Sequence, residues 1–130
     1  MVSEWQAHSN SVFTLAYSPD LKWLISGSRD ARLKVWLTEE KFGLFEEIPA
    51  HLYAINHLAF SPDGKHFVTC SLDKSVKVWH TDSLTLLKVI DKARHAGHGT
   101  SVNKLLWSTF QHQVLSASDD RTISSWDVIF

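Results

Sequence analysis

One phrase occurs three times in this chain, and it decides what the chain can fold into. It runs Asp30-Ala31-Arg32-Leu33-Lys34-Val35-Trp36, then Asp73-Lys74-Ser75-Val76-Lys77-Val78-Trp79, then Asp120-Arg121-Thr122-Ile123-Ser124-Ser125-Trp126. Each copy is an acidic turn followed by a short alternation that ends in tryptophan. Asp and Trp keep one interval throughout, and His8, His51 and His98 each precede the Asp by a second fixed interval. Self-similarity at this period marks a repeat architecture, in which each unit buries its apolar face against the next.

Setting His8 on His51 without a gap also aligns Leu15-Ala16 with Leu58-Ala59, and Ser18-Pro19-Asp20 with Ser61-Pro62-Asp63. It pairs Lys22 with Lys65, Ser28 with Ser71, and Lys34-Val35-Trp36 with Lys77-Val78-Trp79. Within each copy, runs rich in β-branched and aromatic residues alternate with turn residues, and proline and aspartate favour the turns. Strands are predicted at 12–18, 23–28, 32–37, 43–48, 55–61, 66–71, 75–80, 85–90, 102–108, 113–118 and 122–128. Val2 to Gln6 reads as a further, outer strand. Thr38 to Phe42 is a charged connection, and Lys92 to Gly99 is a longer connector containing His and Gly. The third copy replaces the Ser-Pro-Asp turn with Thr109-Phe110-Gln111-His112. The repeats lie at about 2–37, 43–80 and 84–128, with the outer strand at 2–6. No helix is required, so the chain reads as one all-β domain.

Composition narrows the function. A length of 130 residues suits one domain. A net charge of −1 argues against a general nucleic-acid-binding surface, which needs a basic excess. No apolar run approaches the roughly 18 residues of a membrane helix, and Met1 to Trp5 lacks the basic start and apolar core of a secretory signal. The single cysteine, Cys70, excludes an internal disulfide and suits a reducing compartment; the expected location is the cytoplasm. Cys70 lies in an apolar alternation and reads as a buried, inert thiol.

Repeats of this length with a leading His and a Trp-Asp-like end resemble the WD40 family of β-propellers. Trp126-Asp127 keeps the dipeptide, whereas Trp36-Leu37 and Trp79-His80 keep only the tryptophan; the usual Gly before the His survives at Gly97-His98. The last connector with Ser101 to Trp107 is similar to the final repeat of bacterial WD40 proteins. The resemblance implies three four-stranded antiparallel blades, a half-propeller. It also implies a buried polar tetrad in each blade: His8, Ser26, Asp30 and Trp36; His51, Thr69, Asp73 and Trp79; His98, Ser116, Asp120 and Trp126. Partner contacts in such proteins fall three and five residues after the His and just before the tetrad Asp. Here those positions are Ser11, Phe13 and Arg29; Ala54, Asn56 and Leu72; Ser101, Asn103 and Asp119.

Three blades do not close a ring, since propellers have at least about four. The third blade lacks its own outer strand, while Val2 to Gln6 is an outer strand without a blade. Two copies exchanging these strands would form a six-bladed ring; alternatively, the chain is part of a propeller of about seven blades. Either arrangement leaves apolar faces that drive association, and a homodimer is expected.

Catalysis is the weaker reading. Ser, His and Asp recur together three times, whereas a hydrolase needs one exposed nucleophile, one base and one oxyanion site. Asp91, His95, His98 and His112 could be proposed as metal ligands, but their spacing is loose and no cysteine joins them. Ser18-Pro19 and Ser61-Pro62 read as turns before they read as phosphorylation sites. The sequence therefore predicts a non-enzymatic scaffold without cofactor or metal that binds protein partners, with a self-assembling module as the alternative.

Overall fold

The computed structural model describes residues 3–90, 101–108 and 113–127. The first sheet contains β1 (Val12–Tyr17), β2 (Trp23–Ser28), β3 (Arg32–Leu37) and β4 (Gly43–Pro49). The second contains β5 (Ile55–Phe60), β6 (His66–Ser71), β7 (Val76–His80) and β8 (Thr85–Ile90). The third contains β9 (Val102–Trp107), β10 (Gln113–Ser118) and β11 (Ile123–Asp127). Every pairing is antiparallel between sequence neighbours, so each sheet is a meander. These are propeller blades, and the third has three strands among the described residues.

The turn chemistry explains the hairpins. Ser18 donates its hydroxyl to Asp20 at 2.6 Å, and the same Asp20 oxygen accepts the Lys22 N–H at 3.0 Å. Ser61, Asp63 and Lys65 repeat this closure at 2.7 and 2.9 Å. A side-chain carboxylate that caps its own turn is the reason Ser-Pro-Asp ends a strand.

The blades stack through their faces. Ile25, Leu33, Val35 and Ala50 of the first blade meet Ile55, Leu58, Phe67 and Trp79 of the second in one buried cluster. Val68, Cys70, Val76, Val78 and Ile90 of the second meet Val102, Leu105 and Val114 of the third, with Trp126 partly buried beside them. A blade covered on both sides buries both faces of its strands, which explains why β6 is buried along almost its whole length. Where no blade follows, the same positions are open. Leu15 and Tyr17 are exposed on the first blade and Leu106 and Ile123 on the third. On the third blade, Lys104, Leu106, Leu115, Ala117 and Ile123 line a shallow, mostly apolar depression of about 240 Å³.

Two expectations are corrected. Ser3 to Gln6 forms no strand. A strand needs a ladder partner, and the one expected for this segment is β11 of a second copy; within the single chain β11 pairs, among the described residues, with β10. Instead Trp5 stacks on Phe42, with ring centroids 5.0 Å apart, and meets Trp36 edge-on at 5.6 Å. The connection after β3 is also more ordered than a charged loop, because Thr38–Glu40 forms a single 3-10 turn.

Candidate interaction face and the polar tetrads

Each described tetrad is a one-way relay of hydrogen bonds. In the first blade the Trp36 indole N–H donates to Ser26 Oγ at 3.0 Å. Ser26 Oγ lies 2.7 Å from His8 Nε2, and His8 Nδ1 lies 2.9 Å from the Asp30 carboxylate. In the second, Trp79 donates to Thr69 Oγ1 at 3.0 Å, and His51 bridges Thr69 and Asp73 at 2.8 Å on each side. The carboxylate can only accept, so the ring donates Nδ1–H to it; in the neutral ring Nε2 then accepts the hydroxyl proton, while the hydroxyl accepts from the indole. That order requires a neutral imidazole. Burial lowers the His51 pKa in the same sense, and it outweighs the opposing pull of Asp73. Burial alone would raise the Asp73 pKa, but His51, the Ser75 hydroxyl and the Leu52 N–H together hold it far below the carboxylate range. In the third blade Trp126 donates to Ser116 at 3.2 Å, and Asp120 accepts the Thr122 N–H at 2.9 Å. His98 lies outside the described residues.

Two more repeated contacts brace the relay, and the sequence reading passed over both. Lys34 Nζ donates to Ala7 O and Lys77 Nζ to Ala50 O, each at 2.6 Å, and so hold the residue before the tetrad His. Ser28, Ser71 and Ser118 donate to the carbonyls of Ser11, Ala54 and Ser101 at 2.7, 2.7 and 2.8 Å. Each of these hydroxyls also accepts the N–H of the tetrad Asp. The gapless alignment contained the signal, since Ser28/Ser71 and Lys34/Lys77 are identical pairs.

The nine expected contact positions divide. Ser11, Phe13, Arg29, Leu72 and Asp119 are exposed at the loop end of the blades. Asn103, half-buried, donates to Asp119 at 2.6 Å. Ala54 and Ser101 are buried, which corrects their place on a contact face: their carbonyls are the acceptors just described. Asn56 is corrected too. Its amide crosses the seam to Ser101 Oγ at 3.0 Å and Val102 O at 2.8 Å and so joins two blades. Phe13 and Asn56 sit at register shifts in the inner strands, and Asn103 sits at the matching shift of the third. A bulge re-aims one side chain out of the pleat, and sequence alone does not reveal it.

The family model described as "WD domain, G-beta repeat" matches residues 1–36, 44–80 and 90–127. The chain belongs to the WD40 family. Two solved WD40 folds superpose on 95% of it with TM-scores of 0.85 and 26% identity: the WD40 repeats of RRP9 and the protein U3-55K. The chain covers 37% and 38% of those chains, so it spans well under half of each. Periodic tryptophan protein 2 homolog of Mus musculus is 44% identical over 41 residues, which is 32% of this chain and 4% of that protein.

Within this WD40 chain, burial pushes the Cys70 thiol up to about 12. It stays protonated and unreactive behind the seam. Among the described residues no three His, Cys, Asp or Glu side chains are placed to hold a metal ion. Asp91, His95, His98 and His112 lie outside the described residues. Among the described residues no helix is long and apolar enough to cross a membrane.

Proposed function

We propose that this chain is a non-catalytic WD40 scaffold that binds protein partners at the loop end of its blades. One observation carries the reading. The Ser26 and Thr69 hydroxyls are buried and committed on both sides, to indole and imidazole, so neither is available to attack a substrate. The exposed Phe13, Arg29 and Leu72 mix apolar and charged character at one end, as interaction surfaces do. A reducing compartment such as the cytoplasm suits its single buried thiol. The test is affinity purification with the tagged chain, comparing it with a Phe13→Ala/Arg29→Ala variant of equal thermal stability. A defined set of proteins lost from the variant supports the reading. Hydrolytic turnover that disappears when only one tetrad is changed overturns it.

A second reading, self-assembly, is favoured by the free faces. Leu15 and Tyr17 occupy the register of Leu58 and Phe60, which pack against the first blade; Leu115 and Ile123 occupy the register of Ile25 and Leu33, which receive them. A second copy therefore offers the face that each open face lacks. Light scattering tests this: a dimer that Ile123→Lys converts to a monomer supports it, and a monomer at all concentrations defeats it.

A further inference from the structure

The loop end of the second blade differs from its two counterparts in one respect. After the tetrad His the first copy has Ser9-Asn10 and the third has Gly99-Thr100, but the second has Leu52-Tyr53. Just before the tetrad Asp the other copies have Arg29 and Asp119, and the second has Leu72. The blade architecture thus accepts polar residues at all three positions. Even so, Leu52 is 83%, Tyr53 60% and Leu72 51% exposed. Exposed bulky residues that the fold does not require, gathered at one place, mark a contact site.

Backbone hydrogen bonds hold the three together. The Leu52 N–H donates to the Asp73 carboxylate at 3.2 Å, and the Leu72 N–H donates to Ala54 O at 3.0 Å. The Ser71 hydroxyl reaches Tyr53 O at 3.1 Å. The apolar surface is therefore presented by a braced loop and turn, which lowers the ordering cost of binding. Phe13, also exposed, occupies in the first blade the position from which Asn56 crosses the next seam, so it stands at the edge of the same area. The second blade has a blade on each side, so this exposure does not depend on the free sheet faces.

Charge narrows the partner. Arg29, in the matching turn of the first blade, and Lys74, beside Leu72, are exposed, and neither forms an ion pair among the described residues. Asp30 beside Arg29 and Asp73 beside Lys74 are each committed to a tetrad, and Asp119 of the third blade accepts from Asn103. The patch has an apolar centre with exposed cations on the first and second blades, and the carboxylate of Asp119 stands at the matching turn of the third.

We infer that Leu52, Tyr53 and Leu72 form a docking site for an extended protein segment that presents a bulky apolar side chain beside carboxylates. The apolar side chain covers the exposed leucines and the tyrosine ring, and the carboxylates reach Arg29 and Lys74 as charge-assisted partners. This rests on the scaffold reading and adds the site and the chemistry of the ligand.

A random-peptide library selected against the whole chain tests it. The expected consensus is an aliphatic or aromatic residue flanked by Asp or Glu. Binding of the selected peptide should weaken about tenfold or more in Leu52→Ser/Tyr53→Asn and in Leu72→Asp. These substitutions borrow residues that other copies carry at the same positions, and an unchanged melting temperature certifies the fold. Weaker binding at raised salt and in Lys74→Glu supports the charged rim. A consensus of other composition, or affinity unaffected by the second-blade variants but lost in Phe13→Ala/Arg29→Ala, overturns the inference and leaves the scaffold reading intact. A library that enriches nothing overturns the inference and counts against the scaffold reading as well.

Discussion

His57 Nδ1 accepts the backbone N–H of Leu105 at 3.0 Å across the seam between the second and third blades. At the preceding seam Thr14 Oγ1 does the same for the Leu58 N–H, at 3.3 Å. Both bonds satisfy the backbone donor of a buried residue. His57→Leu leaves the Leu105 N–H unpaired and should cost about 1–3 kcal/mol by chemical denaturation. His57→Thr, borrowing the residue of the first seam, should restore part of that.

The same bond sets a pH dependence. A protonated ring has no lone pair on Nδ1, so the bond needs neutral His57. Burial, and next the Lys104 charge, lower its pKa below the ordinary 6.5. The unfolded chain thus binds the proton more readily than the folded one, and stability rises with pH through this region. His51 is shifted in the same direction. The melting temperature should fall as pH drops below about 6.5, and His57→Thr should flatten part of that slope. A slope identical in the variant would remove His57 from the explanation.

The tetrads make a graded prediction. Asp73 accepts from His51, Leu52 and Ser75, whereas Asp30 accepts from His8 and the Arg32 N–H. Asp73→Ala should cost about 3 kcal/mol, because it leaves the buried His51 N–H and the turn donors without their charged acceptor, and Asp30→Ala less. Trp79→Phe keeps an aromatic ring but removes the donor to Thr69 and leaves a cavity, at about 1–3 kcal/mol. Urea melts of the three variants give the order directly. Equal losses for Asp30→Ala and Asp73→Ala would show that the extra acceptor contacts contribute nothing.

Much of this was legible because the repeat writes the same information three times. Strand positions followed from alternation and turn residues, and β2, β3, β6, β8 and β10 match the predicted spans end to end. What stayed hidden involves partners that a linear pattern cannot name. Val2 to Gln6 has strand-like composition, but a strand exists only beside a ladder partner, and the rings of Trp36 and Phe42 captured Trp5. Asn56 reads as a surface amide until a bulge turns it across a seam. The contrast between Leu52-Tyr53 and Ser9-Asn10 was visible in the sequence. It gained meaning only once the blade geometry placed the pairs at equivalent, exposed positions.

Gly27 shows how closely the first two blades approach. A Cβ there would lie 2.8 Å from Ile55 Cγ2 and 2.9 Å from Thr14 Cγ2. Its counterparts, Cys70 and Ala117, carry a Cβ, so the second seam leaves room that the first does not. Gly27→Ala should destabilise by about 1–3 kcal/mol through overpacking. Thr14→Ser removes one of the two obstructing methyls and should recover part of the loss in a double-mutant cycle. Additive effects would mean that the two sites do not meet.

The residue after each tetrad Asp carries strain that glycine would relieve. Ala31, Lys74 and Arg121 have φ of 67°, 74° and 70°, the left-handed region. The cause is the turn itself. Each Asp carboxylate accepts the N–H two residues on, at 3.0, 3.0 and 2.9 Å, and this closes the chain so tightly that the intervening residue must reverse hand. An L side chain there costs roughly 1–2 kcal/mol, and glycine avoids the clash while losing some entropy on folding. Ala31→Gly and Arg121→Gly should each stabilise by about 0.5 kcal/mol, and the pair should be nearly additive because the turns belong to different blades. Ala31→Val should move the other way, since a branched side chain fits this region worst. The check is the urea midpoint at unchanged slope; a lower midpoint for Ala31→Gly would show that the carboxylate-closed turn carries no relievable strain.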